Sequence, residues 1–432
     1  MSFKMKFLGG AGQVEGSALL IQSKNSNFLL DYGVSLGNHK GDPPVFPNHV
    51  SPKSLSGISL SHSHLDHCGA IPHLYISGHM KCYITKPTLD QVSLLINDFL
   101  KLSGNYLTYE RKELEKMKSN SHFLNFDDEV KVSNSPFTIK LLDAGHIPGS
   151  SQIIINDGKH RILYTGNVNS VETRLQPAMD LNYGELDAIV CESTYAGTSH
   201  PDRKQEEKNF VNKVQEVVDN GGIAQVPAFA IGRSQEILLI LTENNYKGNI
   251  YMDGMAVKAA DLYSTYDKQF VKDPDSLKRA LKRTTMIRDS RDRNAVSGPG
   301  VIISPAGMLG GGTAIHYLSQ IYDNPKNAIF MVGFQAPGTS GYRLLNEKII
   351  YMRGKKRKVK AEPYMFKFSS HIDQNGFEKL FKSIKGNPTV FVMHGEEHKL
   401  EYLMNYISQE IGLKSCSPEL GNEYDVSSNS SI

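Results

Sequence analysis

The sequence predicts an α/β protein in two parts: a pair of β-sheets covered by helices, and a separate parallel α/β domain inserted into it. Three observations carry this reading. A length of 432 residues exceeds what one ordinary hydrophobic core organises. The first third of the chain alternates short apolar strands with turns and a few helical segments, without βαβ regularity. From about residue 201 the texture becomes a regular alternation of helix and strand, and strand-like segments of the first kind return near residue 364.

In the first part, strands are predicted at Phe28 to Gly33, Gly57 to Ser61, Phe137 to Leu142, Gln152 to Ile155 and Arg161 to Tyr164. Helical spacing covers Thr88 to Leu102 and Tyr109 to Met117. In the second part, a helix from Asp202 to Asp219 stops at Asn220-Gly221-Gly222, because glycine readily takes the left-handed conformation that ends a helix. The strands Ile223 to Pro227, Asn249 to Met252, Gly300 to Ser304 and Ala328 to Val332 follow, with a helix from Ser234. Pro363 to Phe368 and Thr389 to Met393 read as a return to the first architecture. The expected division is therefore 1–200, an insert at 201–363, and a return at 364–420. The polar residues of the tail, 421–432, are expected to be disordered.

Hydrophobic residues at 39% and charged residues at 22% describe a soluble globular chain. No run approaches the roughly 18 apolar residues of a spanning helix, so no membrane partner is expected. The start carries no cleavable apolar stretch. Cys68, Cys82, Cys191 and Cys416 are scattered and read as reduced thiols, which favours a cytoplasmic location. The net charge of +3 does not by itself argue for nucleic acid. Its distribution says more, since Arg353 to Lys360 holds six cations in eight residues. Such a run either grips phosphates or forms a solvated hairpin or loop.

The central chemical signal is Ser61-His62-Ser63-His64-Leu65-Asp66-His67, directly after an apolar strand. Alternation sends His62 and His64 to one side, and the loop beyond can turn Asp66 and His67 towards a second ion. Imidazole and carboxylate together suit Zn²⁺ or a similar divalent ion. Further candidates stand at strand ends: Asp31, His146, position 167 and His394. Ligands from separate strands meeting at one edge are what a two-metal centre needs, and two ions can activate water and stabilise an in-line displacement at phosphorus.

These motifs, in this order, resemble the signature of metallo-β-lactamase-fold hydrolases. The resemblance implies an αββα sandwich and two zinc ions per chain. One would be held by His62, His64 and His146, the other by Asp66, His67 and His394. An acidic residue at 167 would bridge them, and Asp31 would support the cluster from behind. The family has aspartate where this sequence reads Thr165-Gly166-Asn167. Asparagine is nearly isosteric but uncharged and cannot give a carboxylate oxygen to each ion. The expectation is weak metal occupancy and a nearly inactive chain. Because every other ligand persists, a deliberately inactivated variant fits better than a natural pseudoenzyme.

Within that superfamily, the chain is similar to β-CASP nucleases. Cys191-Glu192-Ser193-Thr194 resembles the first β-CASP motif, Phe368-Ser369-Ser370-His371-Ile372-Asp373 the second, and Val392-Met393-His394-Gly395 the third. The resemblance implies His371 as a general acid oriented by Glu192, with Asp66 completing the catalytic set. It also implies RNA rather than DNA, because RNA-directed members carry histidine at the third motif. Ala228 to Glu236 and Ser304 to Gly312 each lie between a strand and a helix. Arg233, Ser304, Gly310, Ser369 and Ser370 are the expected RNA contacts, through backbone N–H groups and charge-assisted bonds.

The wording Gly307-Met308-Leu309 resembles archaeal and eukaryotic cleavage-and-polyadenylation-factor endonucleases more than bacterial RNase J. The expected activity is hydrolysis of single-stranded RNA to 5′-phosphate and 3′-hydroxyl products, inclining to 5′→3′ exonuclease. The alternatives are endonuclease of the cleavage-and-polyadenylation type and a catalytically dead RNA-binding scaffold. A homodimer is compatible with all of these.

Overall fold

A computed structural model describes residues 3–36, 42–294, 296–352 and 354–426. Two seven-stranded sheets stack face to face. The first runs, in spatial order, Glu423–Asp425, Phe3–Gly9, Ala18–Ser23, Ser26–Leu30, Leu55–Ser59, Lys81–Ile84 and Ser121–Phe123. The second runs Ser415–Cys416, Thr389–Met393, Ala188–Glu192, Arg161–Tyr164, Ser151–Asn156, Thr138–Asp143 and Glu129–Lys131.

Strand periodicity explains the layering, because successive side chains point to opposite faces. Leu19 and Ile21 join Phe3, Phe7, Phe28, Ile139, Ile153 and Phe391 in the core between the sheets. Their neighbours Ala18 and Leu20 face the other way, into a core with Ile58, Val92 and Ile96. Helix Lys86–Ser103 covers that outer face with Leu89, Val92, Ile96 and Phe99 buried at helical spacing. Its start is fixed by Thr85, whose side chain accepts from the Thr88 N–H. Helices Gln374–Ser383 and Glu397–Tyr406 cover the second sheet, burying Phe377, Leu380, Leu400 and Leu403.

The insert is a six-stranded sheet in the order Thr285–Ile287, Ile250–Asp253, Gly300–Ser304, Ile223–Pro227, Ala328–Met331 and Glu362–Met365. Every pairing in it is parallel, so the strands' carboxyl ends share one edge. Helix Arg203–Asp219 starts at Asp202, whose carboxylate accepts from the Gln205 N–H, and packs Phe210, Val214 and Val217 into the insert's core. Two of its neighbours hold the insert to the sandwich. Glu236 accepts from the Arg174 and Leu175 N–H groups at 3.0 and 2.8 Å, and Arg174 Nε donates to Glu207 at 2.9 Å.

Two expectations are corrected. Glu362–Met365 pairs with Ala328–Met331 in the insert's sheet, not with the sandwich, and the expected boundary at 363 falls inside that strand. An apolar strand reads the same in either sheet, and only the long-range pairing decides. The tail expected to be disordered from 421 contributes Glu423–Asp425, antiparallel to Phe3–Gly9, with the Tyr424 ring 5.7 Å from that of Phe7. Residues 427–432 lie outside the described residues, as does Arg353 of the cationic run. No helix among the described residues is long and apolar enough to cross a membrane.

Candidate metal centre

The strand Leu55–Ser59 delivers the histidine loop, and Asp31 fixes it. Asp31 Oδ1 accepts from the Ser61 N–H at 2.7 Å, and Oδ2 accepts from Ser61 Oγ at 2.7 Å and Tyr164 Oη at 2.8 Å. The same oxygen takes His67 Nδ1–H at 2.7 Å, which turns His67 Nε2 outwards. The backbone passes beneath so closely that a Cβ on Gly33 would stand 1.8 Å from the Asp66 carbonyl oxygen. Only glycine fits there.

Two groups of donor atoms result. Those of His62, His64 and His146 lie within 4.8 Å of one another, as do those of Asp66, His67 and His394. His62 Nε2 is 3.1 Å from His64 Nδ1, which is 3.3 Å from His146 Nε2. His67 Nε2 is 3.3 Å from His394 Nε2, which is 3.2 Å from Asp66 Oδ2. The groups adjoin, with the His62 and His67 rings 4.1 Å apart. Outer nitrogens of both groups are occupied: His146 Nδ1 donates to the Ser370 carbonyl at 2.7 Å, and His394 Nδ1 meets Thr194 Oγ1 at 3.2 Å.

Asp31 and His394 adopt left-handed backbone conformations, φ 54° and 52°. Each costs about 1–3 kcal/mol, and such strain persists where the surroundings over-determine it. The ends of the strands Ser26–Leu30 and Thr389–Met393 are held in this way.

The electrostatics suit a cation. Burial and the neighbouring imidazoles drive His62 and His146 well below the usual histidine range. Burial takes His64 down to about 4 against the pull of Asp66. Burial opposes ionisation of Asp66, but the imidazoles of His67 and His394 hold its carboxyl well below the usual carboxylate range. Burial opposes the charge on His67, but Asp66 and Asp31 override it and raise its pKa. Three neutral imidazoles in one group, and a carboxylate with two imidazoles in the other, are donor sets that suit a divalent metal.

Asn167 stands among them, 3% exposed, with Nδ2 3.5 Å from His62 Nε2. Its Oδ1 is buried without a hydrogen-bond partner. An orphaned amide oxygen inside a ring of lone pairs is costly unless a cation is shared between them. The residues present therefore fit a metal, with one carboxylate fewer than a bridged pair would have.

Glu192, at the end of the strand Ala188–Glu192, accepts from His371 Nδ1 at 2.9 Å and from the Val168 N–H at 2.8 Å. Burial would raise its pKa, but His371 overrides this and the carboxyl lies below its ordinary value. The His371 ring is half-buried and 4.7 Å from that of His146. Arg233 Nη2 donates to Ser370 Oγ at 3.1 Å, while its Nε and Nη1 are buried without partners. Burial, aided by Arg203, takes the Arg233 guanidinium down to about 10, so it stays charged near neutrality. Ser369 Oγ accepts from the His371 N–H at 3.1 Å.

The structure thus gathers Asp31, His62, His64, Asp66, His67, His146, Asn167, Glu192, His371 and His394, with Arg233, Ser369 and Ser370 at their side. Ser304 is a correction. It is fully buried, so its hydroxyl cannot meet RNA in this conformation. Gly310 is exposed in the loop that follows, with open space where a Cβ would stand. Sequence reasoning missed Ser61, Tyr164 and Thr194. All three lie inside or beside the quoted motifs, but hydroxyls give no signal of their own in one sequence.

Comparison with known proteins bears on this geometry. A crystal structure of a protein of unknown function from Enterococcus faecalis V583 shares the fold, with a TM-score of 0.64, 14% identity, and coverage of 98% of this chain and 100% of that one. Family profiles match as a Beta-Casp domain over 234–344, a Zn-dependent metallo-hydrolase RNA specificity domain over 356–418, and Anti-Pycsar protein Apyc1 over 6–200. "RNase aCSPSF2" of Saccharolobus solfataricus is 38% identical across 99% of this chain and 86% of its own length. "Probable RNase MJ4" of Methanocaldococcus jannaschii is 34% identical across 97% and 99%. "Transcription termination factor FttA" of the same organism is 31% identical across 92% and 67%. The chain belongs to the β-CASP ribonuclease family of the metallo-β-lactamase superfamily.

Proposed function

We propose that this chain is built to hydrolyse single-stranded RNA to 5′-phosphate and 3′-hydroxyl products, as a 5′→3′ exoribonuclease, and that Asn167 leaves it nearly inactive. The observation that carries the reading is the convergence of two three-residue donor groups beside a proton-holding pair, His371 and Glu192. The relatives named as RNases and the RNA specificity domain support RNA as the substrate class.

His62, His64 and His146 would hold one zinc and Asp66, His67 and His394 another. When bound, such a pair supplies Lewis acidity and lowers the pKa of water. The chain's own groups do the rest. Glu192 keeps His371 oriented through Nδ1, so that Nε2 can hold a proton for the leaving oxygen. The Ser369 and Ser370 hydroxyls, with the Arg233 guanidinium donating to Ser370 Oγ, form the polar wall where a terminal phosphate would rest. That wall favours the exonuclease over internal cleavage.

A second reading rests on Asn167 itself: a scaffold that binds RNA without cutting it. Asn167→Asp separates the two. The zinc-loaded variant is expected to release mononucleotides from 5′-monophosphate RNA labelled at its end, and to bind zinc more than ~100-fold tighter than the Asn167 chain. That figure is the upper range for losing an outer-sphere partner of a ligand. Internal fragments would replace the exonuclease by an endonuclease. Little bound zinc and no cleavage after Asn167→Asp would leave the scaffold standing.

A further inference from the structure

In the insert, the exposed large hydrophobic side chains among the described residues are Met365, at 39% exposure, and four others, Phe229, Phe334, Tyr342 and Tyr351, at 42%, 49%, 39% and 51%. All four are aromatic, and topology brings them to one side. Phe229 and Phe334 follow the strands Ile223–Pro227 and Ala328–Met331 at the carboxyl edge of the parallel sheet. They are close, because the Phe229 ring lies 3.6 Å from where a Cβ on Gly333 would stand.

Tyr342 opens helix Ser340–Glu347, whose start is tied to the same edge. The Gly341 N–H donates to the Met308 carbonyl at 3.0 Å and Gln335 Nε2 to that of Gly307 at 3.0 Å. Lys348, at φ 53°, ends the helix and turns the chain into the hairpin Ile349–Met352 and Lys355–Lys358. The Val359 N–H closes its base on the Lys348 carbonyl at 2.8 Å. Arg343, in the first turn of the helix, lies over the Tyr351 ring at 5.7 Å. The hairpin therefore folds back along the helix, and its far end returns to the edge carrying the other aromatics.

The charges complete the pattern. Ile350 is 1% exposed and anchors the hairpin on Leu318 and Leu344. Lys355, Lys356, Arg357 and Lys358 are all exposed, and Tyr351 pairs across the ribbon with Lys356. The flanking Lys348 and Lys360 are bound to Glu362 and Asp323. No ion pair among the described residues engages Arg343 or the four hairpin cations. Exposed aromatic rings interleaved with cations outside any ion pair match the chemistry of a polyanion carrying unstacked bases.

We propose that Phe229, Phe334, Tyr342 and Tyr351, with Arg343, Lys356 and Lys358, form a track that stacks and holds single-stranded RNA beyond the cleavage site. This rests on the ribonuclease reading and adds to it a length-dependent grip. Arg233, four residues after Phe229, links the track to the cleft.

The Asn167 chain suits the test, since on the reading above it leaves RNA uncut. Fluorescence anisotropy would compare oligomers of roughly 4 and roughly 16 nucleotides, the span of single-strand site sizes. Phe334→Ala and Tyr351→Ala should each weaken the long oligomer about tenfold, within the range for losing one stacked base, and leave the short one unchanged. Tyr351→Phe should restore binding. Replacing Lys356 and Lys358 by serine should flatten the slope of log affinity against log salt by roughly 0.7 per lost phosphate contact. Equal losses on both lengths, or no loss on either, overturn the track while the ribonuclease reading stands. An unaltered chain that binds neither oligomer overturns both.

Discussion

His371 Nδ1 lies 2.9 Å from Glu192 Oε2, although the two residues are 179 positions apart and belong to separate motifs. The strand Ala188–Glu192 brings the carboxylate to the sheet edge, and the segment before helix Gln374–Ser383 brings the imidazole. The pair predicts its own kinetics. In the Asn167→Asp background, His371→Ala should lower kcat by ~10²–10⁴, the usual contribution of a positioned acid, and change KM little. Glu192→Gln keeps the shape but weakens the hold on the imidazole proton. Its kcat should fall by part of the same range with KM little changed, and an unchanged kcat would remove Glu192 from the mechanism.

Asp31 holds four donors at once, from Ser61, Tyr164 and His67. Asp31→Asn tolerates the left-handed backbone but disturbs the orientation of His67. Zinc titration should show a loss of ~10–100-fold in affinity. Asp31→Ala should also destabilise the fold, since each donor left buried without an acceptor costs about 1–3 kcal/mol. A shift in the urea midpoint without zinc would measure that share separately.

Arg233 donates once, to Ser370, and its Nε and Nη1 are buried without partners. A bond between a guanidinium and phosphate is worth about 1.5–3 kcal/mol. Arg233→Ala, with Asn167→Asp, should therefore raise KM for 5′-monophosphate RNA by roughly 10- to 150-fold. RNA ending in a 5′-hydroxyl should be affected much less. Equal effects on both ends would assign Arg233 to general backbone contact.

Asp143 ends the strand that leads to His146, and burial pushes its carboxyl up to about 7, although the Gly145 N–H opposes this. The folded chain then binds more protons than the unfolded one between about 4 and about 7. The stability contribution of this group falls as pH rises through that window and is flat above it. Asp143→Asn should remove the fall. Urea midpoints at about pH 5 and about pH 8, compared between the two proteins, measure it.

Much of this could be read along the chain. Helix Lys86–Ser103 declared itself by its apolar stripe, and Arg203–Asp219 by Asp202 at its start and Asn220-Gly221-Gly222 at its end. The run His62 to His67 declared a metal site, because no ordinary fold needs four such side chains in six residues. Glu362–Met365 misled, since its apolar pattern fits either sheet and only pairing with Ala328–Met331 assigns it. Ser304 misled in the same way, because a serine at a strand end reads as exposed until the neighbouring loop buries it.

The sequence by itself determined which side chains are candidates for metal and proton chemistry, because residue type and strand-end position are local properties. It also determined the charge missing at Asn167. Only the tertiary structure decided that Ser61, Tyr164 and Thr194 join Asp31 in aiming those side chains, and that four scattered aromatics share one edge with the cationic hairpin. Orientation and adjacency arise from contacts between segments up to hundreds of residues apart, and no local pattern encodes such distances.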